Sequence, residues 1–473
     1  MLFPDETIKL VSQTLARFRA IAVDDYGVPP NQVRVFATEA MRRAQNATAM
    51  LEAIRAASPD LSVYILAPQV ETLFGSVGAR SGFVDVKGLF LDLGGGSVQM
   101  TYLDTSAAKP GLEQQKDLGA EIAAALAGQS LPFGAARLIK VLENLDADMQ
   151  AAQISQLQGG MSDAFRTLRN TFPTLAAAAA DAEQGKSGID IYLCGGGFRG
   201  YGSMLMHHHA VQPYPIPSVG SFTVSGASFI RTRELLEFNR SFEGKIFGMS
   251  KRRRAQFPAI IAVVEALIAA VPHIRSVTFC SGGNREGALM VSLPQEIRDS
   301  NPLVKASVPA TPGAELASTQ DVLDTLQSAF PSDFHLATST TVFGLQLGAL
   351  YADQIWTRLG DGAEANAAAA LHNVIIYPDQ PGLTHLARAV LGVTLCARWG
   401  ASLAPIDAQL HQNLSALMDA ADPDATFWAD YTGAVTAAMA AVFRRWPKSQ
   451  RAIKDNIRYV AASTPLTMIL MTR

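Results

Sequence analysis

Little in this 473-residue sequence marks it for a membrane, for secretion or for a polyanionic surface, and each absence removes a class of function. Only three cysteines occur, Cys194, Cys280 and Cys396, far apart, so there is neither a metal-knuckle spacing nor an even-numbered disulfide framework. A reducing compartment is the simpler expectation. Charged residues are sparse, 17% of the chain with a net charge of −3, which leaves no field to recruit nucleic acid or an anionic membrane. The longest apolar run, Ala259 to Val271, holds Glu265 in its middle and falls short of the ~20 residues a span needs. It reads as a buried helix. The opening MLFPDETIKL lacks a basic region followed by an apolar stretch, so no secretory signal is read and a cytoplasmic location is expected.

What is present is ordinary globular material, 48% hydrophobic, and at roughly 100 to 200 residues per domain it suggests about three domains. Apolar residues at Ile8, Val11, Leu15, Phe18 and Ala22 recur every three or four positions, the mark of a helix with one buried stripe. Pro29 and Pro30 break the chain before VRVFA, a short strand over Val33 to Ala37; Thr38 then opens a helix expected to reach about Ala57. A second strand is read at Ser62 to Leu66, a helix from Pro68, and a third strand in GLFLDL. Alternation of strand and helix makes the fold α/β. Helical patterning follows Gly111, and later strands are read in GIDIYLC and VTFC. A proline-rich, aperiodic stretch from Asn301 to Thr319 marks a boundary, beyond which the chain reads as all-helical.

The most informative element is Asp92-Leu93-Gly94-Gly95-Gly96-Ser97-Val98-Gln99. Consecutive glycines let backbone amides converge on an anion without hindrance from Cβ, Ser97 can donate a hydroxyl hydrogen bond, and a strand-end aspartate can hold a divalent ion against the same phosphates. Because VQMTYLD reads as another strand, these glycines turn a hairpin, whereas a dinucleotide-binding turn must lead from strand into helix. Two further strand ends, CGGGFRG and CSGGNRE, align Cys194 with Cys280, Gly196 with Gly282, Gly197 with Gly283 and Arg199 with Arg285, so each offers a glycine turn and one arginine. The cysteines read as small core residues. Lys251 to Arg254 reads as a solvated charge run, with a polyanion or an import receptor as the alternative, and His207 to His209 read as loop.

The segments VRVFATEAMRRAQNA, ILAPQVETLFGSVGARSGF, GLFLDLGGGSVQM, SLPFGAARL and YLCGGGFRG stand in the order and spacing of the Ppx/GppA phosphatases, the exopolyphosphatases and guanosine pentaphosphate phosphohydrolases. The chain resembles that family over roughly residues 5 to 295, nearest to its fungal branch of retrograde regulation proteins. The resemblance implies an actin-like ATPase, ribonuclease H-like core of two domains closing on a phosphate chain, with Mg²⁺ as cofactor. Residues 1–110 would form the first subdomain, 111–300 the second, and 320–473 a helical domain similar to metal-dependent HD phosphohydrolases. Asp92, Gly94, Gly95, Gly96 and Ser97 match the second phosphate loop and its magnesium-associated aspartate. Gly195, Gly196 and Gly197 match the glycines of the other domain, Arg285 matches the R-E-G that closes it, and Glu71 matches the catalytic glutamate.

Departures from the family pattern carry weight. Gln99 stands where bacterial members have a glutamate; it cannot be a base but can orient a water. Leu73 replaces an arginine, and His372-Asn373 stands where a His-Asp metal pair is expected, so no metal is expected there. The family's first phosphate hairpin, of type DxGSNS-R, is not recognisable in MLFPDETIKL. The implied consequence is an exposed edge at VRVFA, weak activity and self-association, for instance as a homodimer. Two functions follow as expectations: a phosphoanhydride hydrolase acting on polyphosphate, (p)ppGpp or a nucleoside triphosphate, or a phosphate or nucleotide sensor that meets a regulatory partner through its C-terminal helices. A sugar kinase is disfavoured for want of a second substrate motif.

Overall fold

The computed structural model describes residues 2–105, 119–298, 300–305, 317–358, 360–376, 381–400, 402–464 and 467–471. Most of the boundary read at Asn301 to Thr319 and the start of the region after Gly111 lie outside them. Ten strands are described: β1 (Arg34–Ala37), β2 (Ser62–Ile65), β3 (Lys87–Leu93), β4 (Val98–Asp104), β5 (Gln129–Leu131), β6 (Ile189–Cys194), β7 (Phe222–Ser225), β8 (Ile274–Phe279), β9 (Val460–Thr464) and β10 (Thr467–Met471). Six of them form one sheet in the order β5-β4-β3-β6-β8-β7, parallel at β3/β6 and β6/β8 and antiparallel elsewhere.

The two faces of this sheet follow from the alternation of side chains along a strand. Leu89, Leu91 and Leu93 of β3, with Ile191 and Leu193 of β6, enter the large core formed with Phe257, Ile260 and Val264 of the apolar helix Phe257–Ala270. Phe90, Cys194 and Cys280 point the other way, into a smaller cluster with Ala79 of the helix Pro68–Arg80. Asp92 shares the parity of Phe90. The pleat therefore turns it toward the helix that carries Glu71.

The Pro68–Arg80 helix lies against the helix Asn284–Ser292 at backbone contact. A Cβ on Gly78 would stand 1.9 Å from the Gly283 carbonyl oxygen, and one on Gly287 would stand 1.8 Å from that of Phe74. The glycines of SGGNREG thus serve the approach of two helices. The glycine turn read at CGGGFRG is also corrected: the chain enters the helix Gly195–His207 directly, with Gly195 at φ +86° where a Cβ would strike Asp92 Oδ1. His207 belongs to that helix rather than to a loop.

The helix expected from Thr38 to Ala57 is two helices, Glu39–Arg43 and Ala47–Ala57. The break is anchored by Asn46, whose side chain bonds both the amide and the carbonyl of Phe3 at 2.9 Å. β1 pairs in parallel with β2 alone among the described strands, and Phe18, Tyr26, Tyr64 and Ile65 nearby are exposed. The C-terminal region is helical around the buried helix His385–Trp399, but it ends in the antiparallel pair β9/β10, which corrects the all-helical expectation. His385 joins it to the α/β core: the Tyr214 hydroxyl donates to Nδ1 at 2.7 Å and Nε2 donates to the Gly220 carbonyl at 3.1 Å. Among the described residues no helix is long and apolar enough to cross a membrane.

Candidate functional site

The GGGS hairpin is held from behind by the segment SLPFGAARL. The amides of Ala135 and Arg137, in the first turn of the helix Ala135–Asn144, donate at 3.0 Å to the carbonyls of Gly94 and Gly95. Gly134 is required there, because a Cβ would fall 2.4 Å from the backbone of Gly95 and Gly96. Gly94 closes the turn by donating to Ser97 O at 3.0 Å. With these carbonyls committed, the amides of Gly95 and Gly96 have no acceptor among the described residues. That is the arrangement an oxyanion uses.

Beneath the hairpin, Ser97 and Gln99 are buried, and the Gln99 amide donates to Ser97 Oγ at 2.9 Å, which leaves the Ser97 hydroxyl hydrogen to be given elsewhere. Asp92 pairs across the sheet with Gln99 on one side and Cys194 on the other. Its carboxylate is pushed up to about 6, by burial first and then by the charge of Glu71, with Arg199 opposing. On the facing helix Glu71 and Gly75 are one turn apart, and the missing side chain at Gly75 lets Asp92 Oδ2 come within 3.7 Å of where a Cβ would be. Glu71, Gly75, Asp92, Gln99, Thr101 and Cys194 enclose a cavity of about 10 Å³, room for about one water.

Glu71 is buried against Arg42, whose Nη2 lies 2.7 Å from Oε2 and 3.2 Å from Glu39, while Nη1 donates to Leu66 O at 2.6 Å. Glu39 also covers Gly96, where a Cβ would stand 3.0 Å from its Cγ, and pairs with Arg43 at 3.3 Å. Arg137 stands nearby, its guanidinium held down by burial and then by the charge of Arg43. The short helix Glu39–Arg43 thus brings two arginines to the mouth of the glycine hairpin.

The structure brings Glu71, Asp92, Gln99, Ser97, Gly94, Gly95, Gly96 and Gly195 together, with Gly196 and Gly197 following along the same helix start. Gly197 serves packing, since a Cβ there would lie 2.5 Å from the Leu93 side chain. Arg285 is exposed, whereas its counterpart Arg199 is the arginine whose charge reaches Asp92. Arg42, Arg43, Arg137 and Asn284 are site residues that sequence reasoning does not single out. The doubled arginine of TEAMRR is the available signal for the first two.

A profile of the Ppx/GppA phosphatase family matches residues 2–296, and one of the RTG2 C-terminal domain matches residues 301–462. The chain belongs to the Ppx/GppA phosphatase family. It is 30% identical over 445 residues to retrograde regulation protein 2 of Saccharomyces cerevisiae, covering 91% of this chain and 70% of that one. Among solved structures it is similar to an exopolyphosphatase of Cytophaga hutchinsonii, at 20% identity and a TM-score of 0.44 over 63% of this chain and 84% of that one. The Aquifex aeolicus Ppx/GppA protein follows at 18% identity and a TM-score of 0.41, over 62% and 82%. Family membership makes the α/β core an actin-like ATPase fold, followed here by the helical C-terminal region.

The donor set suits the magnesium that the family implies. The charge of one carboxylate, Glu71, acts on the other, Asp92, and the Asn284 side-chain oxygen is buried without a hydrogen-bond partner among the described residues, 3.2 Å from the Cβ position of the same Gly75 that Asp92 approaches. Mg²⁺ takes hard oxygen ligands, commonly one or two carboxylates completed by waters and phosphates. In the C-terminal region His372 Nε2 lies 2.8 Å from Asp407 Oδ1 on another helix, so that ring nitrogen is engaged by a carboxylate. Among the described residues, however, no group of three or more His, Cys, Asp or Glu side chains forms a metal cluster.

Proposed function

We propose that the chain binds the phosphate groups of polyphosphate or of a (p)ppGpp- or NTP-like nucleotide at the GGGS hairpin and hydrolyses a phosphoanhydride bond there. The observation that carries this reading is the placing of Glu71 and Asp92 on facing elements beside amides that have no acceptor among the described residues. The amides of Gly95 and Gly96 and the Ser97 hydroxyl would bind phosphoryl oxygens, and Arg42 and Arg43 would neutralise charge at the mouth. Glu71 would take the proton of the attacking water, and Gln99 would orient that water through its amide. Asp92, with the Asn284 oxygen, would hold Mg²⁺, which supplies charge neutralisation of the phosphates when bound. General-base assistance contributes about 10²- to 10⁴-fold. Phosphate release from polyphosphate and guanosine pentaphosphate should therefore fall by about that factor in Glu71→Gln, and an unchanged rate would sink the assignment.

A second reading is favoured by the Arg42–Glu71 ion pair. A carboxylate oxygen engaged at 2.7 Å by an arginine has a lone pair already committed, and Gln99 adds no second base to replace it. The chain would then be a phosphate or nucleotide sensor of the retrograde-signalling type, meeting a regulatory protein through its C-terminal helices. Calorimetry that records Mg²⁺-dependent ligand binding with no phosphate released supports this second function; turnover that depends on Glu71 removes it.

A further inference from the structure

The run FTVS forms β7, the outer strand of the six-stranded sheet, and its free edge faces the C-terminal region across a cavity of about 660 Å³. Small-molecule sites commonly occupy about 300 to 1,000 Å³ and favour the boundary between domains. The Cys280 amide donates to Leu193 of β6, so Phe279 and Val277 turn their backbone groups to β7, where they pair with Phe222 and Val224. The amide and carbonyl of Thr223 therefore face outward, on the side of the cavity that this residue lines. One end of the edge is closed by the helix His385–Trp399, whose first amide donates to the Ser221 carbonyl at 3.4 Å. The short helix Gly226–Phe229 follows at the other end.

The two walls of this cavity differ in chemistry. On the α/β side stand Arg231 and Arg275, each held in place by a carboxylate behind it: Nε of Arg231 donates to Glu234 at 2.8 Å with Nη2 on the other oxygen, and Arg275 grips Asp190 at two points in the same way. A β-bulge sets the second arginine, since Ile189 pairs with Ile274 and Asp190 with Ser276, which leaves Arg275 as the extra residue with its side chain re-aimed. Each fork keeps its Nη1 donors without an acceptor among the described residues. His209 adds another donor: burial lowers its imidazole, and Nδ1 accepts from the Val211 amide at 3.1 Å, so the neutral ring carries its proton on Nε2. Among the described residues no aspartate or glutamate lines the cavity. The opposite wall, Leu386, Leu417, Ala420 and Ala421 of the C-terminal region, is apolar.

Charged donors on one wall and hydrocarbon on the other match a molecule with an anionic head and an apolar body. A bare inorganic anion would leave the apolar wall wet, and a plain hydrocarbon would leave the guanidinium donors unused. We propose that the cavity binds a small organic carboxylate, its carboxylate met by the arginines of the α/β wall and its carbon chain laid against the C-terminal wall. The site shares no lining residue with the cavity at Glu71 and Asp92 and does not rest on the reading of the GGGS hairpin. Because each region supplies one wall, the occupant ties the C-terminal region to the outer strand of the sheet, beside the joint that His385 makes with Tyr214 and Gly220.

The test titrates octanoate into the full chain by calorimetry, beside acetate, which has the head without the body, and 1-octanol, which has the body without the charge. Octanoate should saturate one site per chain. Acetate should bind at least about 100-fold more weakly for want of buried methylenes, and 1-octanol at least about ten-fold more weakly for want of charge-assisted hydrogen bonds. Arg231→Gln or Arg275→Gln should weaken octanoate by at least about ten-fold. Arg233→Gln removes the same charge from an exposed position outside the cavity and should stay within about two-fold. Ala421→Trp fills the cavity from the opposite wall and leaves both ion pairs in place, so a loss of about ten-fold or more there guards against a loss that is only misfolding. Hydrogen exchange should slow on octanoate in β7 and in the first turn of the helix His385–Trp399 together. Octanoate matched by acetate or by 1-octanol overturns the assigned chemistry. Undiminished affinity in both arginine variants or in Ala421→Trp, or slowing confined to other peptides, places octanoate elsewhere and overturns the site, as does a parent that binds none.

Discussion

Replacing Asp92 by asparagine should stabilise the protein at neutral pH while abolishing its response to magnesium. In the folded chain the carboxylate ionises near 6 instead of at its ordinary 3.8, because burial and the Glu71 charge disfavour the ionised form. The folded state therefore holds the proton more tightly than the unfolded chain does. Stability contributed by the protonated form is present in acid, declines as pH rises from about 4, and is gone above about 6. At about 1.4 kcal/mol per factor of ten, ionised Asp92 costs about 2 to 3 kcal/mol at pH 8 and roughly half of that at pH 5. An asparagine side chain at this position would have the same shape without the charge. Hydrogen exchange of peptides from β3 and β4 during urea titration reads this local stability without requiring the helical region to unfold with it. We expect Asp92→Asn to gain about 2 to 3 kcal/mol over the parent at pH 8 and less at pH 5. Saturating Mg²⁺ at about 100 times its Kd should add about 2.7 kcal/mol to the parent and nothing to the variant. A variant less stable than the parent at pH 8 would refute the electrostatic argument, and one that responds equally to Mg²⁺ would refute the metal role.

Other expectations concern packing and the joint between the two regions. A methyl group on Gly78 would stand 1.9 Å from a backbone oxygen that cannot move alone, so Gly78→Ala should cost at least about 3 kcal/mol, seen as a lowered urea midpoint. A midpoint within experimental error of the parent would mean that the two helices separate freely. His385 is buried neutral between Tyr214 and Gly220, its imidazole pushed down to about 3, mainly by burial. The unfolded chain takes up this proton below about 6.5 and the folded chain does not, so the contribution is full above that pH and is lost as pH falls. Between pH 7 and 5 this amounts to about 2 kcal/mol, and His385→Gln should remove that part of the pH dependence from exchange at the joint. An identical pH profile in the variant would assign the effect to another group.

Much of the α/β region is legible because strand alternation and helical spacing are properties of neighbouring residues. GLFLDL, GGGS and VQMTYLD together identify a hairpin with an aspartate at its edge, and helix period alone places Glu71 and Gly75 on one face. The helix expected through Ala57 is broken instead at Asn46 by side-chain bonds to Phe3, a residue 43 positions away, which no local pattern records. The strand pair β9/β10 escapes a sequence reading for a related reason, since short apolar runs near alanine-rich helices carry no period that separates the two.

The chain alone names the residues able to carry chemistry, the Asp92 to Gln99 loop and Glu71, because glycines, carboxylates and strand ends are written in the order of the amino acids. It does not say what each glycine is for. Packing of the whole molecule assigns Gly78, Gly282 and Gly287 to the approach of one helix to another, Gly134 to the approach of a loop to the phosphate hairpin, and Gly197 to the approach of the Leu93 side chain. It also sets Arg42 on Glu71, and makes Arg199, not Arg285, the arginine whose charge reaches Asp92. One cause underlies all of these: a close approach or a field between two side chains depends on the distance between elements far apart in the chain, and that distance is set only when the whole core packs.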